Sequence, residues 1–272
     1  MDQRAQWSNY HILEQGDASR DLYLVFDDNE KKSLCEIKFR DPFILQQQDS
    51  GRRNIGLGCS QFTVPNTAMN ISSYNYTNRL IYGDQEITLR NGYYENVDQI
   101  SQEINNQLKS QSVKFILDHL GYVTYVGERS LNIPLLLGDD DIPDTVAHKL
   151  GFPIPCLQDR CDLTEHNGEA LLTIEPNSTA TMCGDIFGPL SDCLLTCDEA
   201  IFTRETRKVL SVFSLSAHPA RSQLHMLLLP KFRALHDMPS LSQLTFRLVD
   251  RRNREIAFVS GVPSATIELQ CL

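Results

Sequence analysis

Alternating apolar and polar positions recur along the chain and predict short β-strands. Residues 21–26 alternate in this way and end in an Asp-Asp-Asn turn, after which residues 34–39 form the next apolar segment. The two segments predict a β-hairpin. Residues 244–249 and 255–259 also alternate and flank the polar loop 250–254, which predicts another hairpin.

The remaining predicted strands are short and are bounded by glycine, proline, asparagine or aspartate. They cover residues 61–64, 79–82, 86–89, 113–117, 122–126, 132–137, 170–174, 193–196, 208–215, 224–229 and 266–270. Two neighbouring pairs, 79–82 with 86–89 and 113–117 with 122–126, are each separated by a turn that contains glycine. Each pair predicts a hairpin.

Two segments have the periodicity of helices. In residues 97–109 apolar side chains recur every three or four positions, and Asn96 can cap the first turn. A second short helix is predicted to start near Asp141 and to run to Leu150. Gly151 follows it as a left-handed stop.

Many short strands at irregular spacing with two helices between them indicate an all-β fold. We expect a single jelly-roll β-sandwich with two short inserted α-helices. Residues 1–272 would form one domain, with residues 1–20 as a candidate N-terminal arm. No apolar run reaches the roughly 20 residues of a membrane helix, and no secretory signal is visible. We therefore expect neither a membrane span nor secretion.

The chain is acidic, with 25 Lys and Arg against 35 Asp and Glu, for a net charge of −10. The charge is uneven, because residues 1–200 carry −15 and residues 201–272 carry +5. A basic end can bind an acidic partner or nucleic acid. Only residues 251–254 form a dense basic cluster, at a predicted turn, so nucleic-acid binding is not expected.

Five of the eight cysteines lie close together in the sequence and raise the question of a zinc site. They are Cys156, Cys161, Cys183, Cys193 and Cys197, with His166 among them. Their spacings of four and three residues fit poorly with the two-residue pairs of structural zinc sites. The alternative is that they are reduced thiols, which behave as small apolar side chains when buried. We predict no metal site and no cofactor.

No sequence motif indicates catalysis, and we predict no catalytic residues. Residues 139–141 are three aspartates that could bind a divalent cation, but they also suit the start of the second helix, where the dipole favours negative charge. His218, His225 and His236 lie in one region with Asp237. Nothing in the sequence fixes their geometry, so we predict that the protein is not an enzyme.

The order of these elements resembles that of one family of capsid proteins. A strand leads to a Gly-Tyr-Tyr sequence and a helix that ends in Ile-Asn-x-x-Leu; a hairpin, an Ala-His-Lys-Leu-Gly-Phe sequence and the later strands follow. The segments involved are 87–96, 100–108, 113–126, 147–152, 194–198, 209–213, 244–250 and 254–258, then Gly261. This succession, over residues 80–270, resembles the minor capsid or penton proteins of Polinton (Maverick) transposable elements and their adintovirus and virophage relatives. The turn at 250–254 departs from the family, with Asn253 where a glycine is expected.

The resemblance implies a structural role in a virion. Such pentons are single jelly rolls that assemble as homopentamers at icosahedral vertices, beside a double-jelly-roll major capsid protein. Assembly would take place in the host cytoplasm or nucleus. The family implies no cofactor and no site residue. The alternative from another functional class is a domesticated jelly-roll binding or attachment module without catalytic activity.

Overall fold

The computed structural model describes thirteen segments of the chain. They are residues 19–44, 46–47, 51–52, 55–75, 77–108, 113–135, 145–152, 164–166, 169–186, 188–200, 208–219, 221–235 and 240–271. Most of the predicted N-terminal arm, residues 1–18, lies outside them. None of the helices in these segments is long and apolar enough to cross a membrane.

The described segments contain nineteen β-strands and two α-helices. The strands are β1 (Ser19–Val25), β2 (Leu34–Ile44), β3 (Gln46–Gln47), β4 (Gly51–Arg52), β5 (Ile55–Pro65), β6 (Arg79–Tyr82), β7 (Gln85–Thr88), β8 (Lys114–Leu117), β9 (Tyr122–Val126), β10 (Leu131–Leu135), β11 (Thr164–His166), β12 (Glu169–Ile174), β13 (Thr179–Cys183), β14 (Asp192–Cys197), β15 (Val209–Ser214), β16 (Gln223–Leu227), β17 (Arg233–Ala234), β18 (Ser240–Val249) and β19 (Ser264–Cys271). The helices are α1 (Val97–Gln107) and α2 (Val146–Lys149), and two 3-10 turns cover Ser73–Asn75 and Gly188–Ser191.

The chain divides into two compact units. Unit 1 combines residues 1–67 with residues 192–272, and unit 2 is the intervening segment, residues 68–191. The prediction that residues 1–272 form a single domain stays a prediction, because it concerns how the units fold together.

Unit 1 has the strand order of a jelly roll. One sheet has the order β1-β19-β5-β16, with β17 also paired to β5, and the other has the order β15-β14-β18-β2. All pairs are antiparallel. The eight main strands of the two sheets can be renumbered 1 to 8 in chain order, as β1, β2, β5, β14, β15, β16, β18 and β19. The sheet orders then become 1-8-3-6 and 5-4-7-2, which is the interleaved order of a double Greek key. The predicted all-β jelly roll with two short helices is confirmed.

The core of unit 1 lies between its two sheets. Leu24, Phe26 and Phe62 are fully buried. Phe62 of β5 stacks on Phe213 of β15, with ring centroids 3.8 Å apart and planes 12° apart. Because β5 and β15 belong to different sheets, this aromatic stack joins the two layers.

Two predicted hairpins are wrong. Residues 21–26 and 34–39 fall in different sheets, because β1 pairs with β19 and β2 pairs with β18. The segment between them is therefore a corner between sheets, where Lys32 adopts a φ of 57°. Alternation alone does not distinguish a corner from a hairpin.

The pair 244–249 and 255–259 also fails as a hairpin. β18 pairs with β14 and β2 on its two sides, so no side is left for a third strand. Only a single bridge joins Val249 to Glu255 beyond the turn. Asp250 accepts hydrogen bonds from the backbone N–H groups of Arg252 and Arg254 at 2.8 and 2.9 Å, which tightens this turn.

Unit 2 consists of two antiparallel sheets and the two helices. The sheets have the orders β11-β12-β10-β6-β7 and β13-β9-β8. The predicted hairpins β6–β7 and β8–β9 are confirmed. In α2 the segment 141–144 lies outside the described residues, so the helix is seen from its cap Thr145 onward. Gly151 follows with a φ of 79°, as predicted.

Helix α1 covers the edges of both sheets of unit 2. Asn96 caps it, accepting a hydrogen bond from the backbone N–H of Gln99 at 3.1 Å. The Asn105 side-chain amide donates to the Val113 carbonyl at 2.6 Å and its oxygen accepts from the Val113 N–H at 2.7 Å, so it acts as a strand partner beside β8. Gln107 makes the same paired contact with Thr88 of β7, at 2.8 and 3.3 Å.

Candidate functional site

The described cysteines of the 156–197 group differ in their environments. Cys193 and Cys197 are buried in β14, whereas Cys183 is exposed at the end of β13. Cys156 and Cys161 lie outside the described residues, as does the side chain of His166. Within the described chain no group of three or more His, Cys, Asp or Glu side chains is arranged to hold a metal ion. The prediction for the full cysteine set stays a prediction.

The buried thiols are poor nucleophiles and poor metal ligands. Burial raises the pKa of Cys35 and of Cys59 to about 12, because desolvation disfavours the thiolate. Burial also raises the pKa of Cys193 and Cys197. Since the thiolate is the nucleophile and the metal ligand, these four side chains act as apolar core residues.

The candidate acid and base residues do not form a described cluster. His225 lies in β16 on the outer face of its sheet, where its Nδ1 is 2.7 Å from the Thr63 hydroxyl. His218 lies in the turn after β15 and its backbone N–H donates to Leu215. His236 and Asp237, like the aspartates at 139–141, lie outside the described residues.

The basic cluster at 251–254 is largely paired within the chain. Arg254 binds the buried carboxylate of Asp250, with Nε–Oδ2 and Nη2–Oδ2 distances of 2.9 and 2.8 Å. Arg251 forms an ion pair with Asp192. The cluster therefore builds the turn between β18 and β19, where Arg251 and Arg254 each pair with a carboxylate of the same chain.

The outer face of the sheet β1-β19-β5-β16 is open and carries few charges. Tyr23, Thr266, Gln61 and Leu227 lie in one row across the four strands. Tyr23 is 59% exposed and Leu227 is 75% exposed. These two side chains stand at opposite edges of the sheet, and strand alternation places both on the side away from the core.

The sheet β15-β14-β18-β2 differs, because its middle strands are buried on both faces. Leu194 and Thr196 alternate with Cys193, Leu195 and Cys197 along β14, and all five are buried. The same holds in β18, where Thr245 and Phe246 are both buried. Solvent therefore reaches the open face of the other sheet more readily, and that face is the candidate surface for a partner.

The alternation over residues 224–229 predicts an ordinary strand, and no surface of this kind was predicted from the sequence. The signal was the spacing of Leu227 and Leu229, which alternate with less exposed residues and are followed at the same spacing by Lys231 and Arg233. Strand β16 ends at Leu227 rather than at 229. A second exposed apolar group, Ile116 with Leu117 and Leu120, lies at the β8–β9 turn of unit 2.

Two virophage capsid structures are among the solved structures that are similar to this chain. The crystal structure of the SeMet-labelled mavirus penton protein matches with a TM-score of 0.41 and 11% sequence identity, covering 94% of this chain and 100% of that chain. The cryo-EM structure of the Sputnik virophage matches with a TM-score of 0.36 and 9% identity, covering 94% and 98%. No protein-family model and no curated protein sequence matches the chain. The fold assignment therefore rests on the strand order of unit 1.

Proposed function

We propose that this chain is a structural capsid protein that forms the pentameric vertex, or penton, of an icosahedral particle. The observation that carries the proposal is the jelly-roll strand order of unit 1, in a chain whose succession of motifs over residues 80–270 resembles the pentons of Polinton-type elements. A fold alone does not determine a function. The exposed apolar side chains at both edges of the open sheet add support, because a neighbouring subunit could cover them.

The proposal specifies the partners and the compartment. The chain assembles with itself as a homopentamer and with a double-jelly-roll major capsid protein of the same element. It resides in the virion, is assembled in the host cytoplasm or nucleus and is not secreted. It needs no cofactor, and it has no catalytic activity of its own.

Solution mass tests this function directly. Multi-angle light scattering over a hundredfold range of concentration is expected to show a discrete pentamer, or a monomer that converts to a pentamer as concentration rises. Co-expression with the major capsid protein is expected to give closed shells that contain this chain. A stable dimer or trimer that is left out of such shells would contradict the proposal and favour the binding or attachment module.

A further inference from the structure

The turn between β7 and α1 carries the sequence Asn91-Gly92, a pair that is prone to spontaneous deamidation. In such a pair the backbone nitrogen of the glycine attacks the side-chain amide carbon of the asparagine. Glycine favours the attack because it has no Cβ to obstruct it. The sequence contains one other Asn-Gly pair, Asn167-Gly168, which lies outside the described residues. The contacts of the Asn91 turn therefore decide whether its two reacting groups can meet.

The reaction consumes one water molecule and releases ammonia. The Gly92 nitrogen gives its proton to a base and forms a bond to Asn91 Cγ, while the side-chain nitrogen takes up a proton and leaves as ammonia. Water then opens the five-membered succinimide ring at either of its two carbonyl carbons. The product is an aspartate, or an isoaspartate whose main chain contains one additional methylene. No oxidant, metal or enzyme takes part.

The nucleophile, the backbone nitrogen of Gly92, is held in a bridge to Ile71. The Gly92 N–H donates to the Ile71 carbonyl at 2.8 Å, and the Ile71 N–H donates to the Gly92 carbonyl at 3.3 Å. Ile71 is fully buried. An N–H in such a bridge reaches base in the solvent only when the structure opens locally. The bridge therefore withholds the nucleophile.

The electrophile, the side-chain amide of Asn91, is held by Ser73. Asn91 Oδ1 accepts a hydrogen bond from the Ser73 backbone N–H at 2.8 Å, and Asn91 Nδ2 donates to the Ser73 hydroxyl at 3.0 Å. The attack requires the Asn91 side chain to leave Ser73 while Gly92 leaves Ile71. Asn91 and Ser73 are both exposed, so water competes for their two hydrogen bonds, and the bridge at Ile71 gives most of the protection.

A third pair of residues secures the other side of the bridge. Asn70 is fully buried; its Nδ2 donates to the Tyr94 carbonyl at 2.7 Å, and its Oδ1 accepts from the Tyr94 N–H at 2.8 Å. We call the three pairs 70–94, 71–92 and 73–91 the turn clamp. Buried hydrogen bonds are costly to break when nothing replaces the lost partner. The Asn70 contact therefore keeps the turn clamp closed.

We propose that Asn91 is a modification site controlled by the turn clamp, protected while the clamp is closed and deamidated when it opens. Its deamidation rate in the folded chain is then the rate in the unfolded chain multiplied by the fraction of molecules whose clamp is open. The isoaspartate product cannot restore the clamp, because its additional methylene displaces Gly92 relative to Ile71. Each modified chain is therefore a permanent record of a local opening. The inference concerns single copies and is independent of the proposed capsid function.

Deamidation rates in the folded and the unfolded chain test the proposal. The full chain is incubated at pH 8 with and without guanidinium chloride, and peptide mapping by mass spectrometry follows each Asn-Gly pair. In denaturant Asn91 and Asn167 are expected to react at similar rates, because both precede glycine. In the folded chain Asn91 is expected to react at least about tenfold more slowly than in denaturant. Equal rates at Asn91 in the two states would overturn the proposal.

Hydrogen exchange at Gly92 measures the same opening independently. The slowing of Asn91 deamidation is expected to equal or exceed the protection factor of the Gly92 N–H, because both reactions need this N–H to be released from Ile71. A slowing that is clearly smaller than the protection factor would overturn the role of the bridge.

Two matched variants separate the turn clamp from global stability. Asn70→Ala removes the contact with Tyr94 and is expected to raise the Asn91 deamidation rate of the folded chain about tenfold. Asn105→Ala removes a paired amide contact of the same kind, with Val113, and is expected to change that rate by less than about twofold. Equal acceleration in both variants would overturn the proposal. If Asn70→Ala does not fold, the two measurements on the unmodified chain decide.

Discussion

Replacing Asn105 by alanine should destabilise the protein far more than the same change at Gln107. Both side chains make a paired amide contact with the backbone of an edge strand, one with Val113 and one with Thr88. The surroundings differ, because Val113 is fully buried and Thr88 is exposed. The comparison therefore tests the effect of burial on a paired amide contact with the same donor and acceptor groups.

The structure sets the size of the difference. Removing the Asn105 amide leaves a buried N–H and a buried carbonyl without partners, at about 1–3 kcal/mol each. The better helix propensity of alanine returns about 0.5 kcal/mol. We expect a net loss of about 3 kcal/mol for Asn105→Ala. At Gln107 water replaces the lost contacts, so we expect about 0.5 kcal/mol or less.

Urea unfolding followed by far-ultraviolet circular dichroism measures both free energies. Amide hydrogen exchange adds a local measurement, since the Val113 N–H should lose protection in Asn105→Ala while the Thr88 N–H changes little in Gln107→Ala. If the two variants differ by less than about 1 kcal/mol, burial does not control the cost of losing these bonds. The account of α1 as an essential cover for the β8 edge would then be refuted.

Three further predictions concern other parts of the chain. Gly151→Ala should lower the free energy of unfolding by more than about 1 kcal/mol, because φ is 79° and the new Cβ would collide with the Met182 carbonyl. Gly92→Ala is the control, because the nearest contact of its new Cβ is 3.6 Å away. Equal losses of stability in thermal denaturation of the two variants would contradict the predicted strain at Gly151. At pH 8 a charged maleimide should modify Cys183 but not Cys35, because Cys35 is buried and its raised pKa keeps it protonated. Mass spectrometry measures the modification rate of each cysteine, and comparable rates at the two would contradict this prediction. Calorimetry should show one cooperative unfolding transition if the chain is a single domain, and two separate transitions would reject that prediction.

Local signals in the sequence predicted local structure well. The α1 cap at Asn96, the β6–β7 and β8–β9 hairpins and the left-handed stop at Gly151 all follow from residues within one or two turns of each other. The errors arose where pairing is non-local. Nothing in residues 21–39 tells that β1 pairs with β19 rather than with β2.

The candidate surface was harder to predict than the fold. Exposure of Leu227 and Leu229 depends on the position of β16 at the edge of the sheet, which only the topology reveals. On the core face of the same strand a leucine is buried, as Leu224 is. The cysteines show the converse, because proximity in sequence does not fix their environment: Cys183 is exposed in unit 2, whereas Cys193, ten positions later, is buried in unit 1.

The position of β19 has a consequence for biosynthesis. This strand, the last one described along the chain, fills the space between β1 and β5, and its Ser264 pairs with Val25, roughly 240 positions earlier. At ribosomal rates of synthesis, on the order of tens of seconds pass between the synthesis of β1 and β5 and that of β19, the strand that joins them. Throughout that time each has an open hydrogen-bonding edge that another nascent chain can occupy. A chain cut short before Ser264 would leave the sheet open through its middle, so this layer cannot close until β19 has been synthesised.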